Sequence, residues 1–229
     1  MSETLDVKSD ACAPEFTDYF AQSAAFYRFL GSVFVRELTE EQIEALTGIS
    51  LECEDDGSDL ARGLKGVRTY LNRRGGNARQ DLAVDYARVF LAAGVYEGDT
   101  AVPYESVYTS PEKILMQDSR DEVVRIYCEN GLAVDPDLNV PEDHLGFELE
   151  FMAHLCERIA EEASDDRAVA KLLKTQKQFV REHLLNWVPE LRDRVREIAE
   201  LRFYPAIMDL TVGYLKENVA VIEEIEERL

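Results

Sequence analysis

The chain is poor in the residues that build most metal and nucleophile sites. Its 229 residues include three histidines, one tryptophan and four cysteines, Cys12, Cys53, Cys128 and Cys156. The cysteines are widely spaced and form no C-x-x-C pair, which excludes a disulfide scaffold and points to reduced thiols in a cytosolic protein. Cys128 and Cys156 fall in apolar-patterned helical segments, where thiols behave as core residues. With no Cys/His cluster and no H-E-x-x-H, neither a zinc site nor any other metal is expected. The paired E-x-x-H motifs of a di-iron bundle are also missing. So are G-x-x-x-x-G-K-[ST], G-x-G-x-x-G and G-x-S-x-G, so no phosphate-cradling loop or nucleophile elbow is present and no cofactor is expected. No run of 18 apolar residues offers a membrane span. The segment Met1–Asp10 is polar and acidic, without the basic-then-apolar layout of a secretory leader.

Positive charge is also scarce. Twenty-five Lys and Arg face forty-six Asp and Glu, a formal net charge of −21. A surface of this kind repels nucleic acid and anionic membrane, and attracts basic peptides.

The rest of the chain is helical in pattern. Hydrophobic residues make up 46% of it, enough to bury a sizeable core. Phe16, Tyr19, Phe20, Ala24, Tyr27, Leu30 and Phe34 recur at three- and four-residue steps, which predicts an amphipathic helix over 15–37, aromatic along one face. Thr39-Glu40-Glu41-Gln42 is a capping box opening a helix over 40–47, with Gly48 as its stop. Leu60, Leu64, Val67, Tyr70 and Leu71 mark a locally basic helix closed by Gly75-Gly76. Leu82, Tyr86, Val89 and Phe90 mark another over 81–91. A loop over 92–103 follows, the one place where two lobes could divide. Pro111 opens a helix to about Asn130, with Gly131 as its stop. After a turn at Asp135-Pro136-Asp137, helices are predicted from Pro141 to about Ala163, over 167–185 behind an Asp165-Asp166 cap, from Pro189 to about Ala199, and from Pro205 to the end. No alternating strand pattern of useful length occurs. The expected fold is all-α: a flexible tail over 1–13, then a single globular helical domain over 14–229, with about nine or ten helices.

The most distinctive stretch runs from Val140 to Met152. Pro141 suits a first helical position, and Glu142 and Asp143 suit the first turn, where the helix dipole favours carboxylates. His144 follows, and Leu145, Leu149 and Met152 repeat at helical spacing. Acidic residues in a first turn are also ordinary capping. The pairs His144/Glu148 and Glu150/His154 each share a helix face, which is more often a hydrogen bond than half of a metal site. Asp143 and His144 are adjacent, so their side chains diverge by about 100° and do not form a relay by themselves. If the segment 104–108 is extended, Tyr104, Ser106 and Tyr108 project to one side; otherwise the tyrosines fill a lid over the core. Trp187 suits a helix–helix corner.

Taken in order, several segments resemble the TorD/DmsD family of redox-enzyme maturation chaperones. They are Phe26-Tyr27-Arg28-Phe29-Leu30, Asp81 to Phe90, Pro103-Tyr104-Glu105-Ser106-Val107-Tyr108, Pro141 to Met152, and His183-Leu184-Leu185-Asn186-Trp187-Val188-Pro189. The likeness runs from about residue 15 to about residue 225. It implies an all-helical cytoplasmic chaperone, not an enzyme. Such a protein binds the twin-arginine signal peptide of a molybdopterin oxidoreductase subunit and holds the apo-form for cofactor insertion before export. The family's Glu-Pro-x-Asp-His reads Val140-Pro141-Glu142-Asp143-His144 here, without the leading Glu. The resemblance assigns the peptide site to Pro141, Asp143 and His144 with Glu142, to Tyr104, Ser106 and Tyr108, and to Tyr86 and Phe90 on the preceding helix. Asp143 would then take a bidentate arginine contact, and Asp143→Ala or His144→Ala would weaken binding without unfolding the protein. Either a monomer or a domain-swapped dimer fits. The alternatives are a helical enzyme or nucleotide-binding protein using Asp143 and His144, and an acidic scaffold for some other basic partner.

Overall fold

The structure, a computed structural model of the chain, describes residues 14–48, 56–91, 100–133 and 140–228. The expected tail over 1–13, residues 92–99 of the glycine-containing loop, the Asp135-Pro136-Asp137 turn, Cys12 and Cys53 lie outside these residues.

Among the described residues the protein is all-α, with ten α-helices and no strand. They are α1 Pro14–Val35, α2 Glu40–Gly48, α3 Asp59–Arg73, α4 Ala78–Phe90, α5 Glu105–Thr109, α6 Asp118–Glu129, α7 Leu145–Glu161, α8 Asp166–Phe179, α9 Val188–Ile198 and α10 Phe203–Glu226. A π-helical turn, Val180–Leu184, continues α8. The caps act as their residue types dictate. Thr39 Oγ1 accepts from the Gln42 N–H while Gln42 Oε1 accepts from the Thr39 N–H. Asp165 accepts from the N–H groups of Arg167 and Ala168.

Two helix pairs set the frame: α1 along α7, and α3 against α10. The aromatic face of α1 is buried at Phe16, Phe20, Tyr27 and Phe34. Both pairs approach backbone to backbone at glycines. A Cβ on Gly31 of α1 would stand 2.9 Å from the Gly146 carbonyl of α7. A Cβ on Gly63 of α3 would collide with the Leu210 backbone of α10, and one on Gly213 with the Leu60 backbone. Asp85 of α4, itself buried, accepts from the Glu200 and Leu201 N–H groups and so pins the α9–α10 corner. Trp187 is fully buried between the π turn and α9, donating its indole N–H to the His183 carbonyl at 2.6 Å.

Four local expectations are corrected. The helix after Val140 begins at Leu145, because His144 takes the N-cap position; Pro141 lies in the turn before it. The segment 104–108 is neither extended nor turn-like but the short helix α5, led by an isolated antiparallel bridge from Tyr104 to His144. The helix expected from Pro111 starts instead at Asp118, since Lys113 and Met116 adopt positive φ values of 52° and 63°, which a right-handed helix cannot contain. Cys128 is exposed, whereas Cys156 is buried. On α6 only Val123 and Tyr127 are buried, and Cys128 lies one step round the helix from Tyr127.

The glycine crossings predict a sharp contrast. Gly213→Ala should destabilise the fold by about 1–3 kcal/mol through overpacking. Gly48→Ala, where an added Cβ meets nothing within 4 Å, should change stability by less than about 0.5 kcal/mol. Urea unfolding of the two variants measures both.

Candidate functional site

Tyr104, Ser106, Asp143 and His144 come together, with Ser106, Asp143 and His144 inside the protein and Tyr104 half-buried at their edge. The chain segments before α5 and before α7 form a seam. The Glu105 N–H donates to the Asp143 carbonyl at 3.0 Å, and the Leu145 N–H to the Pro103 carbonyl at 2.9 Å. Asp143 Oδ2 accepts from the Ser106 N–H at 2.8 Å. His144 Nδ1 accepts from the Gly146 N–H at 3.0 Å, which places the proton of the neutral ring on Nε2. The Tyr104 ring stands edge-on to the His144 ring at 4.9 Å.

Asp143 is 0% exposed and His144 6%. An arginine from outside therefore has no path to the Asp143 carboxylate, and the expected bidentate contact is corrected on that ground. Each of the two side chains binds a backbone N–H rather than the other, so the Asp143/His144 enzyme reading also loses its geometry. Tyr86 and Phe90 are likewise core residues. The Tyr86 hydroxyl donates to the Phe34 carbonyl at 2.8 Å, and burial pushes it up to about 12. Phe90 packs on Phe34, Tyr86 and Tyr204. Pro141 and Glu142 are half-buried, and the Glu142 carboxylate is held by both Arg120 Nε and Nη2, at 2.6 and 2.7 Å.

Behind the seam lies a buried polar cluster that the sequence reading missed. Glu105 of α5 faces His183 Nδ1 at 3.1 Å through Oε2 and accepts from Asn186 Nδ2 at 3.1 Å through Oε1. Glu148, four residues into α7, is 0% exposed, and neither of its oxygens has a hydrogen-bond partner among the described residues. Its pKa is raised well above the ordinary carboxyl range, first by burial and then by the charges of Glu105 and Asp143. One signal was legible: Glu148 lies three residues after Leu145 and four before Met152, on the apolar stripe, where a solvated carboxylate has no place. Among the described residues no group of three His, Cys, Asp or Glu side chains stands close enough to hold a metal ion.

Of the sequence-assigned residues, Tyr108 reaches an open cavity. It lines a groove of about 780 Å³ together with Val102, Val107, Lys113, Ile114 and Leu115, and with Glu190, Asp193, Arg194 and Glu197 of α9. The outer lip is the chain at Ile114, Leu115 and Met116, exposed by 53%, 41% and 57%. Three neighbouring large apolar side chains open to water mark a contact surface more often than a stability feature. The acidic wall spaces its carboxylates at i, i+3 and i+7, one row along a helix. They already hold partners: Glu190 pairs with Lys113 at 3.4 Å, Asp193 with Arg192 and Arg196 at 3.0 and 3.2 Å, and Glu197 with half-buried Arg194 at 2.9 Å. Such surface pairs are worth about 0–1 kcal/mol and exchange easily.

The buried seam alters what substitutions there should do. Asp143→Ala strips the Ser106 N–H of its acceptor and should cost about 1–3 kcal/mol of stability. Burial lowers His144 from 6.5 to about 4. Its contribution to stability is therefore complete above 6.5 and lost as pH falls toward 4. His144→Asn keeps a cap acceptor and should flatten that part of the acid limb, as thermal unfolding across the window would record.

Known proteins resemble the chain over most of its length. Residues 53–193, more than half of the chain, match the family described as Nitrate reductase delta subunit. A protein named Chaperone protein TorD in Vibrio cholerae is 29% identical over 208 residues, 88% of this chain and 92% of that protein. One of the same name in Photobacterium profundum is 27% identical over 216 residues, 91% of this chain and 97% of its own length. Another, in Vibrio parahaemolyticus, is 24% identical over 205 residues, 87% and 94% respectively. The chain belongs to the nitrate reductase delta subunit family, and the relatives it resembles are named chaperones.

Proposed function

We propose that the protein is a cytoplasmic chaperone that binds the twin-arginine signal peptide of a molybdopterin oxidoreductase subunit and holds the apo-form until its cofactor is inserted. The observation that carries this reading is the groove beside Tyr108. A twin-arginine signal has a basic end followed by an apolar body, and the groove offers the matching halves. Glu190, Asp193 and Glu197 line it, three acids against the two cations Lys113 and Arg194, together with the apolar Val107, Tyr108, Ile114 and Leu115.

The peptide's apolar body lies against the Ile114–Met116 lip as a helix in a groove, excluding water from side chains that are otherwise wetted. Its arginines take over Glu190 from Lys113 and compete for Asp193 and Glu197 with Arg192, Arg196 and Arg194, at little net cost because surface pairs are weak. The acidic surface raises the encounter rate, and salt reduces it. Tyr108 touches the guest. Ser106, Asp143 and His144 act one layer deeper, with half-buried Tyr104 at their edge: they hold α5, and through it Val107 and Tyr108, against the start of α7. Pro141 and Glu142 shape the turn that feeds this seam, and Tyr86 and Phe90 support it from the core.

Isothermal calorimetry with the synthetic signal peptide of the cognate oxidoreductase tests the reading. Leu115→Glu on the exposed lip should weaken binding by at least about tenfold while leaving unfolding unchanged. Replacing both peptide arginines by glutamine should lower affinity and remove most of its salt dependence. Equal affinity for the wild-type chain and for Leu115→Glu would refute the groove as the site.

A further inference from the structure

We propose that Glu148 is a positioning residue for this groove, a buried acid whose proton keeps α5 seated and peptide capture switched on. The inference rests on the peptide-binding reading above and adds its regulation.

Three carboxyl groups from three elements are buried: Glu105 of α5, Asp143 of the turn before α7, and Glu148 of α7, each at most 1% exposed. Asn186 donates to Glu105, His183 lies opposite it, and the Ser106 N–H donates to Asp143 Oδ2, whose Oδ1 is left without a partner among the described residues. Neither oxygen of Glu148 has a partner there at hydrogen-bond distance. The groups that act on it from the packed elements are Glu105 from α5, Asp143 from its own turn and the indole of Trp187 from ahead of α9. Tyr127 of α6 belongs to the same buried set and feels the charges of Glu148, Asp143 and Glu105. From the α1 side, Arg28 is committed to Glu150 and Glu157 on the outer face of α7. A carboxylate at position 148 would be an uncompensated charge beside the two carboxyl groups that anchor α5, in a medium that screens poorly. As an acid it repels neither.

The mechanical link to the groove is short. α5 has only five residues, too few to be stable alone, and depends on its anchors at Glu105 and Ser106. It carries Val107 and Tyr108 into the groove wall, and the Tyr108 ring stacks on Trp187 at 5.3 Å. Loss of the Glu148 proton to solvent therefore loosens the wall and disturbs the environment of the chain's single tryptophan. The groove-competent form is complete at low pH and is lost as pH rises through the raised pKa of the folded chain.

The full chain, titrated from just above the ordinary carboxyl range to the alkaline side of neutrality, supplies two readouts: intrinsic Trp187 emission, and calorimetric affinity for the arginine-pair peptide. In the wild type both should change together, with affinity falling by at least about tenfold on the alkaline side. Glu148→Gln, a neutral isostere, should hold acid-side emission and affinity throughout. Glu150→Gln, an exposed neighbour on the same helix, should keep the wild-type profile. Emission that is flat in the wild type, or a transition that survives Glu148→Gln, overturns the proposal. Strong peptide binding that does not vary with pH overturns it too, yet leaves the peptide reading standing. No binding at any pH sinks the peptide reading itself.

Discussion

The seam between residues 103–106 and 143–145 is the constraint on which the candidate site depends. Two backbone hydrogen bonds and the Asp143 carboxylate tie a five-residue helix to the N-terminus of a seventeen-residue one. A helix as short as α5 has no independent stability, because helix nucleation is unfavourable and one turn recovers little of that loss. Its orientation is therefore borrowed from α7. In turn α7 is fixed by α1 through the Gly31–Gly146 contact, where a backbone rather than a side chain sets the spacing. Groove geometry thus descends from a glycine crossing, through a carboxylate, to a tyrosine at the surface.

That hierarchy explains how much the residues disclosed unaided. The long helices declare themselves, since α1, α7, α8 and α10 each bury a stripe at helical spacing and Thr39 and Asp165 are strong cap formers. Trp187 at its corner was legible for the same reason: a large ring between two helix signals has few other places to go. The start of α7 was not. Pro141, Asp143 and His144 are all plausible helix openers, and the choice of His144 as cap is made by its contact with Tyr104, forty residues away. Nor was α5, whose five residues make fewer than two turns of the pattern that would reveal it. The stretch 110–117 imitates a helix start with Ser110-Pro111-Glu112, yet left-handed residues at 113 and 116 turn it into the lip.

Four of the residues that the resemblance named lie together, but their accessibility was misjudged. A pattern of residue types reports which positions belong together, not which layer each occupies. Asp143 and His144 do sit with Tyr104 and Ser106, and the error lay in reading a carboxylate as solvent-facing. The buried partners Glu105 and His183 could not be paired from sequence, being seventy-eight residues apart. Glu148 could have been suspected, because a carboxyl on an apolar stripe must be either paired or protonated.

The separation of inner and outer acids bears on how a guest would be recognised. The chain carries a large negative charge, but Glu105, Asp143 and Glu148 are sealed inside and cannot pair with an incoming cation. Attraction must come from carboxylates on the surface, where each contact is weak and screened. Affinity then has to come from apolar burial, and the exposed Ile114, Leu115 and Met116 supply it on a lip whose left-handed residues disfavour relaxation into a regular helix. A surface of this design tolerates variation in the guest's sequence so long as a basic end precedes a greasy one. The buried acids contribute something different: they decide whether the wall carrying Tyr108 is in place to be used.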